Sequence, residues 1–100
     1  MQITSTLHDL IVDIHALDAE LRRYEEKYNL LSEDFYSLYE SGLLRDETVE
    51  EIDEYGQWAG LYRMRLRRKE LYNQEKVQVV HGNAPQSTVV LKPYAVPEVV

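Results

Sequence analysis

Apolar residues recur at Leu7, Leu10, Ile14, Leu17, Leu21, Tyr24, Tyr28 and Leu31, at spacings of 3, 4, 3, 4, 3, 4 and 3. A helix turns once in 3.6 residues, so this seven-residue period predicts one narrow apolar stripe down one face of a helix. Between the stripe positions lie Asp9, Asp13, His15, Asp18, Glu20, Arg22, Arg23, Glu25, Glu26 and Lys27. A stripe this narrow needs a partner helix to cover it. Thr4 or Ser5 is the expected N-terminal cap, with Asp9 early in the helix where negative charge is favoured. Asn29, able to take the left-handed conformation, is the expected stop.

A second, shorter helix is predicted to open at Ser32, with Glu33 and Asp34 in its first turn and Phe35, Leu38 and Tyr39 on one face. Gly42 is its expected end, and Leu43 the apolar residue that folds back on it. A third helix is expected from Asp46 or Thr48. Thr48 and Glu51 have the spacing of a capping box. Val49, Ile52, Tyr55, Ala59, Tyr62 and Leu66 keep helical spacing, with Trp58, Leu61 and Tyr72 broadening the face. Gly56 and Gly60 fall inside this segment and are expected to permit close helix packing. The helix should fade between Asn73 and Lys76.

From Val77 the pattern changes. Residues 77–80 and 88–91 are rich in β-branched side chains, and 81–86 read as a turn, so the end of the chain is expected to be a β-hairpin or an extended arm. The predicted fold class is mainly α: a long, a short and a long helix in a small hairpin or bundle, with that C-terminal arm. Residues 1–76 form the expected helical domain and 77–100 the arm.

Composition narrows the function classes. One hundred residues suit one domain and leave little interior for a cavity. Cysteine is absent, so disulfides and thiolate metal sites are impossible. No run approaches the roughly 20 apolar residues of a membrane span, and the first residues lack the blocks of a signal peptide. The expected location is the cytoplasm, of a prokaryote. The net charge of −7 is unevenly spread. Residues 32–56 carry nine acids (Glu33, Asp34, Glu40, Asp46, Glu47, Glu50, Glu51, Asp53, Glu54) against Arg45. Residues 57–76 carry Arg63, Arg65, Arg67, Arg68, Lys69 and Lys76 against Glu70 and Glu75. Such a chain either pairs its own halves or presents one sign to a partner.

The catalytic vocabulary is thin. His8, His15 and His81 lack metal-ligand spacing, although Asp18 stands one turn after His15. No His-Glu-x-x-His, phosphate loop or Gly-x-Ser-x-Gly is present. No enzyme activity, cofactor or metal is expected. The basic run 63–69 could contact phosphate, but internal pairing is the simpler expectation. Eight tyrosines suit a small core that meets water, and an interface equally.

The stretch from Leu21 to Tyr62 resembles a known pattern. Its markers are Lys27-Tyr28-Asn29, Ser32, Asp34-Phe35-Tyr36, then Glu40-Ser41-Gly42, then Trp58-Ala59-Gly60-Leu61-Tyr62. It is similar to small acidic helical proteins of bacteria and archaea that act as antitoxins, encoded beside a small toxin that is often a ribonuclease. Asn29 stands where glycine is usual in that pattern, and the extension from Val77 is additional. The resemblance implies a non-catalytic protein-binding module whose partner is a toxin. The expected contact residues are Glu33, Asp34, Phe35, Tyr36, Trp58, Arg65, Arg68, Val79, Val89, Val90 and Tyr94, with 77–100 as the inhibitory segment. The rival readings are a homo-oligomeric coiled-coil scaffold using the 7–31 seam between chains, a nucleic-acid-associated transcriptional regulator using 63–69, and, last, a metal-dependent helical hydrolase. Direct nucleic-acid or membrane binding is not expected.

Overall fold

The computed structural model describes residues 6–80, Leu91 and Pro93, with backbone alone for 77–80. Three helices follow one another: α1 (Leu7–Tyr28), α2 (Ser32–Glu40) and α3 (Val49–Val80). Thr6 caps α1 through a reciprocal box, its hydroxyl accepting from the Asp9 N–H and the Asp9 carboxylate accepting from the Thr6 N–H. Thr4 and Ser5, the expected caps, lie outside the described residues. Asn29 ends α1 in the left-handed conformation at φ 55°.

Leu31, the residue at the cap position of α2, offers no side-chain acceptor. Glu25 supplies one from α1: its carboxylate accepts the Ser32 N–H at 2.8 Å. A carboxylate is well placed there, at the positive end of a helix. At the other end Gly42, at φ 73°, lets the chain reverse, and the N–H groups of Gly42 and Leu43 bond back to the carbonyls of Tyr39 and Leu38. The backbone motif is the expected one. The apolar contact is not made, because Leu43 is 75% exposed.

α1 lies antiparallel to α3, and the stripe is closed inside the chain. Leu10, Leu17 and Leu21 are buried, Ile14, Tyr24 and Tyr28 half-buried. The seam is therefore covered within the chain along α1, whereas Leu31, its last member, is 65% exposed. The register is visible in four side-chain bonds: Tyr28 to Glu54, Tyr24 to Gln57, Arg65 to Asp18 and Arg68 to Asp13. As the partner on α1 moves toward its N-terminus, the partner on α3 moves toward its C-terminus. In that register Lys76 stands opposite the start of α1, so the last turn of α3 runs past it.

Two expectations fail on α3. Residues 77–80 belong to the helix, not to a strand: a helix already formed adds one hydrogen bond per residue, which outweighs the small β preference of valine. The rest of the expected hairpin lies outside the described residues, apart from Leu91 and Pro93, which are in no helix or strand. Second, the expected apolar face is covered only in part. Ala59 and Trp58 are buried and Tyr55, Leu61 and Tyr62 pack against them, as expected, whereas Val49, Ile52 and Leu66 are exposed. Gly56 and Gly60 do not serve packing within the chain, since a Cβ at either would meet nothing within 4 Å. Each then costs the helix roughly 0.5–1 kcal/mol relative to alanine.

Candidate partner-binding surfaces

The functional surfaces are defined by what the core removes from them. Phe35 and Trp58 are each 1% exposed and stack with ring centroids 3.7 Å apart. Tyr24 and Tyr28 lie near-parallel to the indole, with ring centroids 5.6 and 5.7 Å from it. The indole N–H donates to the Ser32 hydroxyl at 2.8 Å. Phe35 and Trp58, expected as contact residues, are thus the packed centre where α1, α2 and α3 meet. Both side chains are buried within the chain.

The basic run is committed to the chain itself. Arg65 bonds Asp18, and Arg68 bonds Asp13 at 3.2 Å, both reaching from α3 to α1. Arg63 reaches α2 instead, to Glu40 at 2.8 Å and to the Tyr36 hydroxyl at 2.9 Å. Arg67 pairs with Glu70 one turn on. These bonds raise the Arg65 pKa, chiefly through Asp18, and the Arg63 pKa, chiefly through Glu40. Arg65 and Arg68, expected as partner contacts, are internal ties. Tyr36 is half-buried, its ring 5.0 Å from that of Tyr62.

A second tie sits at the α1–α3 mouth. Glu54 accepts from Lys27 and from the Tyr28 hydroxyl. Lys27 foremost, then Tyr28, lowers the Glu54 pKa below the ordinary carboxylate value. The bond to Glu54, with burial behind it, raises the Tyr28 phenol. Burial, then the bond to Glu51, raises Tyr55. These are protonated phenols donating to carboxylates, an arrangement that holds helices together. Asp13, Asp18, Gln57 and Glu54 escaped the sequence reading because their partners are set by the α1–α3 register.

One outward region joins acids to an exposed apolar side chain. At the α1–α2 corner Leu31 is 65% exposed, with Glu33 and Asp34 exposed beside it. Leu31 borders two open hollows. One, of about 250 Å³, adds Glu25, Glu33 and Tyr62; the other, of about 320 Å³, adds Arg22, Glu26 and Leu30. Glu33 and Asp34 are the expected contact residues that the structure leaves exposed at one corner. The side chain of Val79 is not described, and Val89, Val90 and Tyr94 lie outside the described residues.

Asp18, which stands one turn after His15 and could have joined a metal site with it, is tied to Arg65. Among the described residues no three His, Asp or Glu side chains converge as a metal site, and no helix is long and apolar enough to cross a membrane. No family model, curated protein or solved structure matches the chain.

Proposed function

We propose that the chain is a non-catalytic protein-binding module, the antitoxin that neutralises a small ribonuclease toxin. One observation carries the reading: Arg63, Arg65 and Arg68 are paired with acids of the same chain, while the α1–α2 corner shows a partner the carboxylates of Glu33 and Asp34 beside an exposed leucine. A protein that handles RNA must present cationic surface to phosphate. An acidic corner with an apolar knob complements such a surface, in charge for steering and in apolar area for residence. Residues 81–100, in which Lys92 and Glu98 are the lone Lys, Arg, Asp or Glu residues, supply the second contact, a segment suited to adding a strand to an open sheet edge. The inward pairing of the arginines also disfavours the regulator reading.

The test is growth rescue. The chain is co-expressed with the product of the reading frame beside its own, where that product alone arrests growth. Rescue by the native chain is expected, with loss when Glu33→Lys and Asp34→Lys are combined with Leu31→Ser, or when residues 81–100 are removed. All three corner side chains are exposed, so helix content by circular dichroism should be unchanged. No rescue by the native chain, or full rescue by both altered chains, contradicts the reading.

A further inference from the structure

We propose that two copies of the chain pair antiparallel through the outward face of α3, centred on Gly56 and Gly60. Each of these glycines is two positions from Trp58, a rotation of about 200° on a helix, and so lies on the side away from the core. A Cβ at either would meet only open space within the chain. Around them the same face carries three large apolar side chains in solvent: Val49 at 70% exposure, Ile52 at 53% and Met64 at 49%. This face is independent of the α1–α2 corner and of the seam covered along α1.

The occupant is identified by the charge order along the face. Glu50 and Asp53 precede the glycines, and Arg63 and Arg67 follow them. A two-fold axis through position 58 sets each Gly56 against the second copy's Gly60 and each Ile52 against its Met64. The same axis brings Asp53 opposite Arg63, and Glu50 within one position of facing Arg67. Turned parallel, the two helices would place acid on acid and base on base. The pattern therefore complements itself in one orientation only, the isologous antiparallel one. Missing side chains at the crossing allow the two backbones to approach more closely than the usual 8–10 Å between helix axes. The ties that Arg63 and Arg67 make within the chain, to Glu40 and Glu70, are between side chains 50–60% exposed and can be shared across the pair.

From Val49 to Arg67 the face is about 27 Å long. A contact of one helix on one helix falls at the small end of specific interfaces, so the association is expected in roughly the micromolar range. Near 0.15 M salt, repulsion between two chains of net charge −7 is screened beyond about 8 Å, while facing pairs still attract.

Sedimentation equilibrium on the whole chain tests this. The native chain is expected to rise from 11.8 kDa toward twice that mass as concentration increases. Gly60→Leu should stay monomeric, with thermal stability in dilute solution equal to or above native, because the monomer has room for the side chain. Glu50→Arg and Arg67→Glu should each weaken pairing by about tenfold or more, and together restore it. A constant 11.8 kDa at all concentrations, pairing that survives Gly60→Leu, or a double charge swap that fails to recover, overturns the proposal.

Discussion

The Trp58 indole N–H and the Ser32 hydroxyl meet at 2.8 Å with neither residue more than 3% exposed. Water cannot replace either partner there. Ser32→Ala should therefore cost about 1–3 kcal/mol, the desolvation of an orphaned N–H, and Trp58→Ala about 3–5 kcal/mol, through the cavity left against Phe35. Urea unfolding of both, read by far-ultraviolet dichroism, measures this; a Ser32→Ala chain as stable as native would mean the indole bond contributes nothing. The tie of Lys27, Glu54 and Tyr28 adds a pH dependence at each end of the scale. Glu54 has a folded pKa below the ordinary 4.5, so its contribution is present above that value and is lost as pH falls through the folded pKa. Tyr28 is raised above the ordinary 10.0, so its contribution is present below pH 10 and is lost as pH rises further. Thermal melts from pH 3 to 11 should show both losses in the native chain, and Glu54→Gln should flatten the acid one.

Among the elements, α1 was the most legible in sequence, because a seven-residue period has one physical solution: a helix with one face covered. Asn29 and Gly42 marked their stops for the same reason, being the residues that tolerate the left-handed conformation. α3 was legible as a helix and in part as a face. Tyr55, Trp58, Ala59 and Tyr62 meet α1 and α2 as their spacing implies, yet Val49, Ile52 and Leu66 share that spacing and are exposed, because hydrophobicity alone does not say how far along a stripe a neighbour reaches. Its end was misjudged because β-branched residues 77–80 prefer strands only when no helix is already running into them. The surface corner was half legible: Glu33 and Asp34 stand where their capping positions put them, whereas Phe35, Trp58, Arg65 and Arg68 turn out to hold the body together. At this scale the glycines of α3 make a separate prediction. In dilute solution Gly56→Ala and Gly60→Ala should each raise stability by about 0.5–1 kcal/mol, since helix propensity improves and no atom stands in the way. A lower melting temperature for either would show that the monomer uses the missing side chain.

For the molecule as a whole, the uneven charge of the sequence is largely a folding device. Bases of α3 close on acids of α1 and α2, and the excess of acid is left outward. Half-buried pairs of this kind still meet solvent and contribute modestly, so replacing Asp13 or Asp18 by Asn should cost about 1 kcal/mol each. The same pairing predicts that duplex DNA binds no tighter than the non-specific micromolar range near physiological salt, measurable by fluorescence anisotropy. Nanomolar affinity abolished by Arg65→Ala and Arg68→Ala would instead restore the regulator reading. The central claim, neutralisation of a ribonuclease by mass-action binding, is tested most directly by titrating the purified chain into the product of the neighbouring reading frame while following cleavage of an RNA substrate. The account predicts that cleavage falls to nothing at a fixed stoichiometry, and that the chain alone leaves the RNA intact. Cleavage that continues undiminished at excess chain would contradict it.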